Sequence, residues 1–243
     1  MDLHLTEMGE GTRRVAFIHG LFGQGRNFTT IAKRLVERNP ELRIGMIDLP
    51  NHGRSPWTDS INYADMSTLV AQRLQTWSDG TPVALMGHSM GGRTAMHVAL
   101  QHPELVERLV VVDVSPVTGD QTRSVFADLI RGLRHLDLAT LTDRGEADRV
   151  LRPLIPNDTI RGFLMQNLRR SSGHDGREPG WYWQCNLDLL ERDLDQVSQW
   201  PDVGEQHYDG PVLWIRGQLS SYVRPEHRPV MQKLFPSARL MTI

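Results

Sequence analysis

Five short apolar runs punctuate the chain: VAFIHG (15 to 20), RIGMIDLP (43 to 50), PVALMGHS (82 to 89), RLVVVDVSP (108 to 116) and PVLWIRG (211 to 217). They end at Gly, Pro, Asn or Asp, and their apolar stretches are continuous rather than alternating. A strand that is apolar on both sides is buried on both, so the runs predict strands of a parallel sheet covered on its two faces. Between them the period lengthens. Phe28, Ile31, Ala32 and Leu35 predict one face of a helix after the first run, and Met66, Leu69, Val70 and Leu74 predict another before Trp77. Strand alternating with helix predicts βαβ units, hence an α/β fold with a doubly wound, mostly parallel sheet.

The alternation lapses over 117 to 185. Val125, Leu129 and Leu133 mark one helical face there, and Ile160, Phe163, Leu164 and Leu168 another. A polar stretch, RRSSGHDGREPG (169 to 180), leads to the aromatic run Trp181-Tyr182-Trp183. The segment reads as three or four short helices forming a cap over the strand ends. Residues 1–116 and 186–243 are then a discontinuous core, with a helix over about 186 to 200 returning the chain to the sheet.

Composition narrows the partners. The 243 residues, 39% of them hydrophobic, suffice for a sizeable core. Lys and Arg number 27 against 29 Asp and Glu, so a net charge of −2 gives no footprint of a nucleic-acid or anionic-membrane partner. The single cysteine, Cys185, cannot form an internal disulfide, and no CxxC or Cys/His zinc spacing occurs, which fits a reducing compartment. The start, MDLHLTEMGEGTRR, lacks the pattern of a secretory signal, and no apolar run approaches the length of a membrane span. A cytoplasmic protein without membrane insertion is the expectation; nothing in the sequence bears on oligomeric state.

Ligand sites in doubly wound sheets lie beyond the carboxyl ends of the strands. His19-Gly20, Asp48, Ser89 and Asp113 all fall there. GHSMGG, residues 87 to 92, places a serine with glycine two positions before and two after, between the strand VALM and the helix RTAMHVALQ. A sharp strand-to-helix turn projects such a serine clear of the backbone and crowds those two positions, where only glycine escapes the clash. Attack on an ester carbonyl creates an oxyanion that needs backbone donors. The Met90 amide opens the helix and can supply one; the His19-Gly20-Leu21-Phe22-Gly23 turn can supply the second, from Leu21. A phosphate-cradling loop lacks its GxxxxGK[ST] signature here.

HGLFG, DLPNHGRS (48 to 55), GHSMGG, VVVDVSPV (110 to 117) and IRGQLSSYV (215 to 223) together resemble the α/β-hydrolase superfamily, and within it the YbfF-type bacterial esterases. The resemblance runs from about residue 14 to the last residue and is weakest in the cap. It implies a capped hydrolase of short- to medium-chain acyl esters or thioesters, working without metal or cofactor. The turn that carries the triad acid in most of these enzymes reads Gln218-Leu219-Ser220-Ser221-Tyr222 and holds no carboxylate. YbfF-type enzymes use the end of the preceding strand, which makes Asp113 the acid. Asp48 is structural by the same resemblance. Relatives place the histidine base just after the last strand, and ARLMTI (238 to 243) reaches only into that strand, so the triad histidine is expected beyond residue 243. Among the ten histidines present, His227 is the low-ranked substitute, being the one after the PVLWIRG strand; His88 is expected to face away from Ser89, since successive strand residues point to opposite faces. Phe22, Trp181 and Trp183 are expected to line the substrate pocket.

Two classes of function follow. A serine esterase or thioesterase forms an acyl-enzyme on Ser89; carbon–carbon bond hydrolysis and perhydrolysis are variants on the same fold. A hydrolase-fold binding protein keeps the pocket without turnover, which the missing base favours and the intact serine turn opposes.

Overall fold

A computed structural model describes residues 1–174 and 176–243, apart from the side chains of 120–122. In chain order the first half reads β1 (Leu5–Met8), β2 (Arg13–Ile18), α1 (Thr29–Arg38), β3 (Leu42–Ile47), α2 (Tyr63–Ser78), β4 (Val83–His88), α3 (Met90–Gln101) and β5 (Val106–Val112). Between β5 and β8, outside the main sheet, come α4 (Asp120–Arg134), α5 (Arg144–Leu151), α6 (Asp158–Met165), β6 (Leu168–Ser171) and β7 (Gly180–Trp183), then α7 (Leu187–Arg192) and α8 (Leu194–Ser198) on the return to the sheet. The chain then closes with β8 (Val212–Arg216), α9 (Arg228–Leu234) and β9 (Ala238–Thr242).

The main sheet runs β1-β3-β2-β4-β5-β8-β9, parallel except where β1 pairs antiparallel to β3. All five expected strands are present. The edge strand β1 was not anticipated, because LTEM is short and mostly polar. Val83, Leu85, Leu109, Val111 and Trp214 point to one side of the sheet and join the main core with α2 and α3. Phe17, Ile44 and Met46 point to the other and pack on α1.

Of the expected α2 stripe, Met66, Val70 and Leu74 are buried and Leu69 is half-buried, and Trp77 beyond it is buried too. The helix starts at Asn62, whose side chain accepts from Asp65 N at 2.9 Å, and stops at Asp79, which takes φ 52. Along α1 the line facing the sheet is Phe28, just before the helix, with Ala32 and Val36; Ala32 is buried and the other two half-buried, whereas Ile31 and Leu35 are exposed. Residues four apart stack on one helical face, and Ile31 and Leu35 belong to the neighbouring one.

The inserted segment corrects the expectation of helices alone. Residues 168–171 and 180–183 pair as an antiparallel ribbon, Arg169 opposite Tyr182 and Leu168 opposite Trp183. Strand alternation turns Trp183 into the main core, with Trp181 packed against it, and sends Tyr182 to the other face. The return helix is broken at Asp193 into α7 and α8.

Buried Arg93 of α3 fastens the insertion to the sheet. Its guanidinium donates to Val117 O (2.6 Å), Ser198 O (2.9 Å) and Val197 O (3.2 Å), joining both ends of the insertion, and it forms no ion pair among the described residues. A buried charge without a carboxylate is tolerated because carbonyl dipoles solvate it. Arg93→Met should cost about 3 kcal/mol, since several buried carbonyls lose charged donors at once. The urea midpoint measures this, and an unchanged midpoint contradicts the role.

Candidate active site

Ser89 sits between β4 and α3 at φ 54, ψ −121, a conformation that favours glycine. Its neighbours explain how the turn survives. A Cβ on Gly87 would lie 2.1 Å from Gly91 O, and one on Gly91 would lie 2.3 Å from His19 O. Glycine at both positions lets α3 begin in backbone contact with β2 and β4. Met90, the first helical residue, has no acceptor for its amide among the described residues, and neither does Leu21. Both line a narrow recess of about 30 Å³ together with Ser89, Tyr63, Val114 and Phe126.

The Leu21 turn is held by two buried imidazoles. His19 Nε2 accepts from Leu49 N at 2.9 Å, and its Nδ1 donates to Gly20 O at 2.8 Å. His52 Nε2 accepts from Phe22 N at 3.2 Å, and its Nδ1 donates to Pro50 O at 3.0 Å. Burial pulls His19 down to about 4 and His52, with the neighbouring His19 adding to the effect, to about 3. Asp48 completes the frame: its carboxylate accepts from Gly25 N (2.6 Å) and Arg54 N (2.8 Å), and it fills the space a Cβ on Gly53 would need.

Asp113, just past β5, also has positive φ (55). Its oxygens accept from Ser220 Oγ at 2.8 Å and Gly217 N at 3.3 Å. The turn after β8, which lacks a carboxylate, thus supplies donors to one. Ser89 and Asp113 line a single cleft of about 250 Å³ with Leu21, His88, Phe126, Phe163 and Tyr222.

Several sequence expectations are revised by this geometry. His88 does not turn away from the cleft: at the strand end its exposed ring forms part of the wall. Desolvation by the surrounding protein lowers its pKa, and Asp113 pulls the other way. Phe22, Trp181 and Trp183 are not among the cleft residues. The Phe22 ring is buried and meets Phe126 edge-on at 6.1 Å, so it backs a residue that does line the cleft. Trp181 packs under Arg170, whose guanidinium lies 5.8 Å from the indole centroid. His227 faces a second cavity, of about 410 Å³, with Arg93 and Arg224, and its Nδ1 meets Ser115 Oγ at 3.0 Å. Phe126 and Phe163 were not anticipated; Phe163 lay on a helical pattern that sequence alone assigns to packing, and Phe126 fell outside the face marked by Val125, Leu129 and Leu133.

Residues 13–243 match the family model described as alpha/beta hydrolase fold. The mouse sn-1-specific diacylglycerol lipase ABHD11 is 37% identical over 233 residues, covering 94% of this chain and 73% of the relative. Ethanol acetyltransferase 1 of Cyberlindnera fabianii is 28% identical over 237 residues, covering 91% of this chain and 70% of that protein. A solved marine microorganism esterase superposes with TM-score 0.92 at 29% identity, covering all of this chain and 90% of its own. The chain belongs to the α/β-hydrolase family. Among the described residues no helix is long and apolar enough to cross a membrane.

The buried imidazoles make stability depend on pH. Unfolded histidines titrate near 6.5, while folded His19 and His52 stay neutral down to about 4 and about 3. Below 6.5 the unfolded chain binds protons that the native one refuses, so their contribution is complete above that pH and shrinks as pH falls. Tm should decline from pH 7 to about 4.5, and less steeply in the His19→Gln/His52→Gln variant. Equal slopes in the two proteins contradict this account.

Proposed function

We propose that this protein is a serine hydrolase of acyl esters or thioesters, with the inserted segment acting as a cap. The observation that supports this most is the strained Ser89 turn, which shares one cleft with Asp113 and adjoins two unpartnered amides. In this reading Ser89 Oγ attacks the carbonyl carbon and the amides of Leu21 and Met90 receive the oxyanion. The leaving alcohol or thiol departs, and water then attacks the acyl-enzyme. The narrow apolar recess takes the acyl carbons next to the carbonyl, and the wider cleft takes the leaving group.

The proton acceptor in this reading is a histidine steadied by Asp113, and among the described residues no histidine bonds Asp113. The ring nitrogens of His19 and His52 are fully engaged, and Nδ1 of His97 meets Ser67 Oγ at 2.8 Å. His88 lines the cleft but bonds neither Ser89 nor Asp113. Asp113 accepts from Ser220 and Gly217, which hold its carboxylate ready for such a partner.

A second acceptor fits the same acyl-enzyme. The similarity to an ethanol acetyltransferase favours an alcohol replacing water in the deacylation step. Product analysis in aqueous ethanol separates hydrolysis from transfer.

A fluorophosphonate probe should label Ser89, and Ser89→Ala should lose both the label and about 10⁴-fold in turnover of a p-nitrophenyl ester. Persistence near the parent rate ends the serine reading; absence of labelling and turnover in every form of the protein leaves a binding protein. Asp113→Asn should cost about 10⁴-fold, because an amide orients imidazole in the wrong tautomer. If His88→Ala abolishes turnover while the protein stays folded, His88 is the base.

A further inference from the structure

The net charge of −2 conceals a local segregation. Four arginines from separate segments lie within electrostatic range of one another, beside the cleft residue Asn27: Arg26 after β2, Arg54 after β3, Arg144 at the start of α5 and Arg169 in β6. Arg26 Nη2 donates to Gln166 O at 3.0 Å, while Arg144 donates through Nη2 to Met165 O (2.7 Å) and through Nη1 to Leu168 O (2.6 Å). Arg169 Nε donates to Gln184 Oε1 at 3.0 Å. Arg26, Arg144 and Arg169 are therefore gathered around the 165–169 stretch of the insertion. Arg54 is tied to Arg26 from below, because the two oxygens of Asp48 hold the Gly25 and Arg54 amides.

Among the described residues none of the four forms an ion pair, and the Arg54 guanidinium makes no hydrogen bond. The nearby acid is Asp48, buried and committed to backbone. Desolvation, then Arg169, Arg54 and Arg144, hold the Arg26 guanidinium below its ordinary value, with Asp48 opposing. Arg169 is lowered in the same way by burial and by Arg144 and Arg54. Like charges assembled without partners cost stability, so the cluster gains most from an anion that spans several guanidinium forks. The rim of the cleft leads to it: Asn27 lines the cleft, and its Nδ2 donates to Gln166 Oε1 at 2.6 Å, on the residue whose carbonyl Arg26 holds.

We propose that Arg26, Arg54, Arg144 and Arg169 form a binding site for a phosphate-bearing group of two or more negative charges, carried on the leaving-group side of the substrate. The words "leaving-group side" rest on the acyl-transfer reading; the anion site itself does not. The group can belong to a soluble ester or to a lipid headgroup, and the chemistry of recognition is the same.

Inorganic pyrophosphate titrated into the 243-residue protein at low salt, followed by calorimetry, tests the site without any turnover. Saturable binding is expected, weakened at least about tenfold by Arg54→Gln and again by Arg169→Gln, as charged hydrogen bonds are lost. Arg54→Gln breaks no hydrogen bond in the fold, so it serves if the double variant unfolds. Sedimentation with phosphatidylglycerol vesicles, against phosphatidylcholine controls, tells the lipid source from the soluble one: arginine-dependent vesicle binding without pyrophosphate binding assigns the site to headgroups. Absence of binding to both, or binding that both variants leave unchanged, overturns the proposal. Pyrophosphate binding should survive Ser89→Ala unchanged, so the two readings fail separately.

Discussion

Backbone-to-backbone contact between the start of α3 and the strands β2 and β4 governs this molecule. Gly87, Gly91 and Gly92 leave no room for a Cβ; one on Gly92 would lie 2.7 Å from the Val114 side chain. Because the helix can approach so closely, its first amide comes to face the cleft rather than solvent. The same approach sets Ser89 above the sheet and turns Arg93, one helical turn on, into the junction with the insertion. A methyl group at any of these glycines would push apart Ser89, the Leu21 and Met90 amides and the Arg93 anchor together.

Around that contact the fold concentrates strain and then surrounds it with bonds. Phe22, Asn51, Ser89 and Asp113 all take positive φ at strand ends. Each is pinned: Phe22 by His52 and Asn167, Asn51 by Thr58 and the Asn186 amide, Ser89 by the Val112 carbonyl and the Arg93 amide, Asp113 by Ser220 and the Ile215 carbonyl. Conformations that cost energy persist only where neighbours over-determine them. Neutral, buried His19 and His52 are part of that scaffold, with both ring nitrogens spent on backbone.

The parallel strands and the serine turn were legible because their signals are local: an apolar run, a glycine two residues either side of Ser89. Asp113 was reachable only through resemblance, since a lone aspartate at a strand end reads equally as a cap. The β6–β7 ribbon was hidden because RRSSGHDGREPG looks like a loop and the pairing partner is set by tertiary context. Trp181 and Trp183 misled for the same reason, their facing being decided by strand alternation within that ribbon. The arginine cluster leaves no trace in composition, because its members are separated by up to 143 positions, from 26 to 169. His88 obeyed the alternation rule but sits where the strand has run out and either face reaches the rim.

The conformation of Ser89 also sets a course for how such a chain can drift. With φ 54 and ψ −121, glycine would occupy position 89 with less strain, a difference on the order of 1 kcal/mol or more. Selection for persistence alone would therefore erase the hydroxyl, and a lineage that lost its need for the reaction would have a downhill route to a more robust, inert fold. If Ser89 is the nucleophile proposed above, the strain it carries is the cost of keeping that oxygen in place.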